Sequence, residues 1–382
     1  MSHADPSLGA TATLADSGAA VLLTHHSLAS AAAPLRLPAR WLASLSPANF
    51  APNSQRLAMS LPPATLRVTS ARASPIGLEV EFDGSPATSI PWRALAASVS
   101  SPRAHPRAAW AARAEPWPAL ASPPPFMAFE ELCTPRGGAR ARAQLAARGL
   151  VLVRGVPGVA AAGGSEQGVL AVARAIGIPM ETNYGVHFDV RAVASPTNGA
   201  FAEGPLPLHT DNPYRALPPG FQALACVHAA GEGGATMFAD GAALARTLSP
   251  ADAQALATVP VAFEWRGGGA RLAAAHPVLE LRPPHLLSVA WNERALRAPP
   301  PQEADAWFNA AGAWARALEG GSHACAVRLA PGEAVVWDNR RLLHGRQPYQ
   351  DGGGEARWLQ GAYISEDSVL GVAAEEAAEG LA

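Results

Sequence analysis

Lysine is absent: all 29 basic residues of this 382-residue chain are arginine. That absence excludes pyridoxal-phosphate and other Schiff-base chemistry, which needs an amine nucleophile, and it excludes a phosphate loop built on lysine. Any carboxylate or phosphate ligand has to be held by arginine. Cysteine is scarce. Cys133, Cys226 and Cys325 are odd in number, far apart and form no CxxC pair, so neither a disulfide framework nor a thiolate zinc site is expected, and reduced thiols in a cytoplasmic protein fit the pattern. No apolar run reaches the ~20 residues of a membrane span. The start of the chain lacks a basic segment followed by an apolar core, and Asp5 and Asp16 with no early arginine argue against an organelle transit peptide. A net charge of −2, with no arginine stripe interleaved with aromatics, is not that of a protein that neutralises phosphates. Neither nucleic acid nor a membrane is an expected partner.

What is present is a globular balance, 49% hydrophobic and 16% charged residues, and a chain longer than the ~250–300 residues at which single cores stop growing. Two domains are expected. Ala20–Thr24, Arg67–Thr69 and Leu78–Phe82 alternate or carry β-branched residues, and Asp83-Gly84 signals a turn before Ala87–Ile90, so residues 1–105 read as a small β-rich domain. Recurrent prolines among alanine and arginine make 106–126 a linker by composition. In 127–382, a helix over Ala139–Arg148 ends at Gly149 and a second starts near Ser165. From Phe201 onward short strand-like pieces dominate, with helical stretches near Ala242–Leu248 and Glu303–Leu318. The expected fold is mainly β with flanking helices, a double-stranded β-helix or jelly roll.

The chemistry concentrates in two places. Pro205-Leu-Pro-Leu-His209-Thr-Asp211 sets a histidine and an aspartate two residues apart, so that on an extended segment both project to one face. Far downstream, His344 follows the apolar run Val335-Val-Trp-Asp338 and is read as lying just after a strand. Two imidazoles and one carboxylate on one side of a metal, with the opposite positions open, form the facial triad of non-haem iron oxygenases. A His-x-Asp pair alone more often caps a turn. Arg357, thirteen residues past His344, strengthens the reading, because its planar fork can clamp a carboxylate bidentately.

With these residues in place the sequence resembles the gamma-butyrobetaine dioxygenase family within the larger taurine dioxygenase superfamily. The likeness runs through Tyr184-Gly-Val-His-Phe-Asp-Val-Arg191, Leu206-Pro-Leu-His-Thr-Asp211, Pro219-Gly-Phe-Gln222, Gly233-Gly-Ala-Thr-Met-Phe-Ala-Asp-Gly241, Asp338-Asn-Arg-Arg-Leu-Leu-His-Gly-Arg346 and Gly361-Ala-Tyr363. It implies iron(II), 2-oxoglutarate and dioxygen, with ascorbate as a possible reductant, and metal ligation by His209, Asp211 and His344. By the same resemblance Arg357 and Thr236 hold 2-oxoglutarate. Tyr184, Phe188, Phe201 and Tyr363 form an aromatic cage for a small trimethylammonium substrate, and Asn198 meets the substrate's carboxylate. Asn212 stands where some relatives carry a further ring. Where taurine-type enzymes place a second arginine for a sulfonate, this chain has Gly361.

The resemblance points first to hydroxylation of gamma-butyrobetaine to carnitine. Trimethyllysine or a trimethylaminoethylphosphonate remains open, because a cage sees only the cation, as does a non-catalytic jelly roll that reads a methylated ligand. A homodimer is the expected assembly. The N-terminal module resembles one that elsewhere binds structural zinc through cysteines and a histidine, but no cysteine precedes Cys133, so packing has to replace the metal. Elemental analysis of purified protein should find at most one transition-metal site per chain. A stoichiometric second zinc bound before residue 105 is the result that overturns this expectation.

Overall fold

Strands that are buried at nearly every position need cover on both faces, and Phe221–His228, Glu333–Asp338 and Trp358–Ile364 are of this kind. They sit at the centre of the larger of two units into which the chain divides, Met1–Ala104 and His105–Ala382, in a computed structural model. The structure describes all residues except 1–2, 6–9, 26–27, 29–32, 48–61, 101–105, 121, 160–165, 192–203, 320–323, 351–355 and 380–382.

In the second unit we number the strands that build the site β1 (Leu150–Arg154), β2 (Phe188–Arg191), β3 (Leu206–His209), β4 (Phe221–His228), β5 (Thr236–Asp240), β6 (Ala324–Val327), β7 (Glu333–Asp338), β8 (Leu342–Arg346) and β9 (Trp358–Ile364). The major sheet runs Pro179–Met180, β9, β4, β7, β1, Phe126–Ala128, with β2 also pairing β9; the minor sheet runs β3, β8, β5, β6. Alternation then sorts the side chains. Leu224, Val335, Trp337 and Leu359 of the major sheet meet Phe238 and Leu342 of the minor sheet in one cluster between the sheets. Their neighbours Ala223, Ala225, Val336 and Ala362 pack instead against helices Pro135–Arg148, Glu166–Ile176 and Glu366–Glu379. The outer face of the minor sheet, through Ala239 and Leu343, is covered by the tryptophans of helix Ala304–Glu319 and by two hairpins between β5 and β6. This is the jelly roll with flanking helices that the strand pattern predicts.

The first unit has two small sheets, His3–Asp5 to Leu35–Pro38 with four strands and Val68–Ser74 to Thr88–Pro91 with three. Both contribute to one apolar cluster around Val21, Leu23, Leu42, Leu78 and Ile90.

Two expectations need correcting. Helix Pro135–Arg148 starts four residues earlier than its apolar pattern, because Thr134 caps it through Gly137 N and proline occupies its first turn. The stretch 106–126 is not a free linker: Pro106–Ala112 is helical, and Arg107, Trp110 and Trp117 are buried. Composition misleads here because three side chains carry the packing. Arg107 is ion-paired to the fully buried Asp338, which also accepts a hydrogen bond from Trp110 Nε1 at 2.9 Å. Breaking a buried pair strands a charge at a cost of about 3–5 kcal/mol. Arg107→Ala should therefore lower the unfolding free energy measured by denaturant titration by an amount of that order, whereas a substitution in a free linker would leave it unchanged.

Candidate active site

The site begins with a register. In the antiparallel pair β3–β8, His209 stands directly opposite His344, past a bulge that follows Leu206. The two imidazole centroids are 4.4 Å apart. His344 thus lies inside strand β8 rather than after a strand, as its sequence context suggested: the tight turn at Asn339–Arg341 lets the chain re-enter the minor sheet within a few residues. β3 is an edge strand, which is why it tolerates Pro207.

Asp211 follows just beyond β3. Its backbone is gripped by one side chain, with Asn339 Oδ1 accepting from Asp211 N at 2.8 Å and Nδ2 donating to Asp211 O at 3.1 Å. Thr210 N donates to the Trp291 carbonyl at 2.7 Å and fixes the other side of the loop. Asn212 takes a left-handed conformation at φ 55, which asparagine tolerates, and turns the chain away. The Asp211 carboxylate lies 3.3 Å from His209 Nε2 and 3.8 Å from His344 Nε2, and it accepts a 2.8 Å hydrogen bond from Tyr363 Oη. The ligand atoms of His209, Asp211 and His344 all lie within 4.8 Å of one another.

The electrostatics suit a cation. Burial raises the proton affinity of Asp211, but hydrogen bonding to His209, the nearby His344 and the Tyr363 hydroxyl outweigh it and hold the carboxyl well below its usual range. His344 is pushed down to about 3, first by burial and then by His209, so it is a neutral imidazole with a lone pair to give. His209 Nδ1 lies 2.8 Å from the Pro207 carbonyl, which can only accept. That carbonyl can hold a proton on Nδ1, the tautomer that leaves Nε2 free to ligate. A neutral or anionic N/O donor set of this kind, open on one side, fits iron(II).

The three donors line a cavity of about 500 Å³. Arg357, Thr236, Tyr184, Phe188 and Tyr363 line it too, so five further residues named from sequence converge on one space. Asn198 and Phe201 lie outside the described residues. The Phe188 and Tyr363 rings are 5.0 Å apart, and Tyr184 lies 5.9 Å from Phe188. Gly361 explains the missing second arginine: it is the cross-strand partner of Phe188, and a Cβ there would come within 2.4 Å of the Phe188 ring. Asn212 brings no ring but accepts a 2.5 Å hydrogen bond from Tyr214 Oη, inside the wall.

Three residues escaped the sequence analysis. Trp265, from the hairpin strand Val261–Gly267, stacks on Tyr214 at 6.0 Å and meets Tyr184 edge-on at 6.1 Å, so two more rings join the aromatic wall. No local motif marks a hairpin residue that arrives from a distant element. Arg346 is the third: it is buried, sits opposite Thr236 in register, and shares the Tyr349 ring with Arg357 at 5.0 and 5.2 Å. Period-two spacing from His344 already puts Arg346 on the same face, so Arg357 is not alone at that end of the cavity.

The family profile described as "Taurine catabolism dioxygenase TauD, TfdA family" matches residues 121–363. The chain belongs to this family. It is 33% identical over 229 residues to a gamma-butyrobetaine dioxygenase of Pseudomonas sp. (strain AK-1), covering 58% of each protein. It is 30% identical over 261 residues to the dioxygenase str8 of Strobilurus tenacellus, covering 64% of this chain and 60% of that one. The chain thus spans about three-fifths of the length of these relatives. A crystal structure of an asparagine oxygenase superposes with a TM-score of 0.50 at 22% identity, over 60% of this chain and 77% of that one; it shares the fold.

The geometry makes a direct prediction. His209→Ala and His344→Ala should each abolish stoichiometric binding of iron(II), or of cobalt(II) as its spectroscopic substitute, while circular dichroism stays that of the wild type. Wild-type metal affinity in either variant would exclude the cluster.

Proposed function

We propose that this chain is an iron(II)- and 2-oxoglutarate-dependent dioxygenase that hydroxylates a small trimethylammonium compound, with gamma-butyrobetaine the leading candidate. One observation carries the reading: two imidazoles and a carboxylate converge in a cavity that buried guanidinium groups and an aromatic wall also line. His209, Asp211 and His344 would hold the metal, and bound iron supplies the activation of dioxygen. Arg357, 5% exposed and steadied by the Gly234 carbonyl at 3.3 Å, would clamp the far carboxylate of 2-oxoglutarate, with Thr236 and Arg346 beside it.

The aromatic wall supports a quaternary cation. A trimethylammonium group offers no N–H to a carboxylate and is attracted instead to ring faces, and Tyr184, Phe188, Trp265 and Tyr363 supply these. Glu264, beside Trp265 in the cavity lining, is already engaged: hydrogen bonds from Arg271 and Arg266 hold its carboxyl down at about 2. Arg294 and Arg297 also line the cavity, which suits a substrate with an anionic end. A ligand cationic at one end and anionic at the other can bind in one orientation, and orientation decides which C–H bond faces the metal. Trimethyllysine and trimethylaminoethylphosphonate meet the same wall, so a panel of trimethylammonium compounds assayed for succinate release and a mass gain of one oxygen distinguishes them.

Arg357→Gln removes a charge-assisted clamp worth on the order of 2–4 kcal/mol, so apparent affinity for 2-oxoglutarate should fall roughly 30- to 1000-fold. Trp265→Ala should weaken the cationic substrate by about 1–2 kcal/mol, or roughly 5- to 30-fold, and spare 2-oxoglutarate. Tyr363 is a poorer probe than its place in the cage suggests, because its hydroxyl is bound to Asp211. If Trp265→Ala changes only the oxoacid dependence, the two ends of the cavity have been exchanged.

A further inference from the structure

His209 and His344 face the same demand: to ligate through Nε2, each must carry its proton on Nδ1. For His209 the Pro207 carbonyl meets that demand. For His344 no hydrogen-bond partner of Nδ1 is formed, although the atom is buried. The His209 main chain hydrogen-bonds the His344 ring, but Nδ1 itself has no partner.

Strand register shows what lies opposite. Across the minor sheet, Phe238, His344 and His209 form one cross-strand row. Across the major sheet, Trp337, Gln222 and Tyr363 form another. The rows are joined at both ends. The Trp337 indole meets the Phe238 ring at 5.3 Å and the His344 ring at 4.7 Å, and the Tyr363 hydroxyl reaches Asp211. Their middle members, Gln222 and His344, therefore face each other, and both line the cavity. Gln222 is 3% exposed, and its side-chain oxygen Oε1 has no hydrogen-bond partner. A buried amide costs stability unless it is paired. Among the described residues the other buried amide oxygen in this condition, on Gln360, shares the face of β9 that carries Ala362 and Ile364 toward the helices.

We propose that Gln222 is the positioning residue of His344: in the metal-loaded protein its side-chain carbonyl accepts the Nδ1 proton and holds the tautomer that presents Nε2 to the metal. Rotation of the Gln222 side chain suffices, since it has no hydrogen bond of its own to give up. A carbonyl oxygen has two lone pairs, so the second can serve Trp337 Nε1, which is likewise buried and unpartnered. The proposal rests on the assignment of His344 as a metal ligand. Losing such an outer partner typically weakens metal binding 10- to 100-fold.

The test uses the full chain loaded with cobalt(II). Its ligand-field absorption reports affinity, and proton NMR detects the paramagnetically shifted ring N–H signals of the bound histidines. In the wild type the His344 N–H should exchange slowly with solvent. Gln222→Met, which keeps shape but removes the acceptor, should weaken cobalt(II) by roughly 10-fold or more and speed that exchange, and Gln222→Glu, which keeps an acceptor oxygen, should restore both. Wild-type affinity and exchange in Gln222→Met would overturn the proposal, as would a Gln222→Glu variant as weak as Gln222→Met. A fast-exchanging His344 N–H in the wild type overturns it without any variant. His344→Ala separates the two levels: unchanged cobalt(II) affinity there removes the ligand assignment itself, whereas lost affinity beside a wild-type-like Gln222→Met removes only the role of Gln222.

Discussion

Everything at the site depends on one cross-strand pair. Setting His209 against His344 across β3 and β8 brings two imidazoles to 4.4 Å through strand register. The period of a strand is two residues, so a slip of one position would turn both rings to the opposite face. The register is held from several directions: β8 is hydrogen-bonded on its other side to β5 along five residue pairs, and the Phe238 ring that faces His344 is fully buried. The carboxylate is held by separate means. Asp211 lies outside the ladder, and its place is set by the Asn339 side chain, whose neighbour Asp338 is bound to Arg107 and Trp110. A chain of polar contacts thus runs from helix Pro106–Ala112 to the edge of the His209, Asp211 and His344 cluster.

The cavity works by division. Arg346 and Arg357 gather where β8 and the start of β9 meet, and ring faces gather along β2, the end of β9 and the Val261–Gly267 hairpin, where Glu264 and Arg266 also line the cavity. The two kinds of surface suit different chemical groups, and His209, Asp211 and His344 line the same cavity. Burial makes the arrangement hard to substitute piecemeal, because several of its side chains serve two neighbours at once. Tyr363 shows this: the same side chain offers a ring to the cage and a proton to Asp211.

Much of this was legible in the sequence. Long apolar strands such as Phe221–His228 and Trp358–Ile364 announce themselves, and the spacing of His209, Asp211, His344 and Arg357 carries the donor set. Short elements were harder to see. β8 is five residues long and includes His344, Gly345 and Arg346, a composition without strand character; only its neighbours make it a strand. The segment 106–126 reads as linker because proline and alanine outnumber the residues that pack, and the burial of Arg107 cannot be foreseen until Asp338 is known to be buried. Trp265 and Gln222 were missed in different ways. Trp265 reaches the wall from a distant hairpin, whereas Gln222 was visible within a shared motif but had no role until the register placed it opposite an imidazole.

Gly361 has a consequence for how this specificity can change over evolutionary time. The Phe188 ring occupies the space that any larger residue at 361 would need. An arginine cannot arrive there by a single substitution without displacing the Phe188 ring, and on the proposed function loss of that ring alone would weaken cation binding. The two positions therefore form a coupled pair, and a change at one has to be matched by a change at the other. Lineages on either side should keep the pair intact, glycine with the ring or arginine without it.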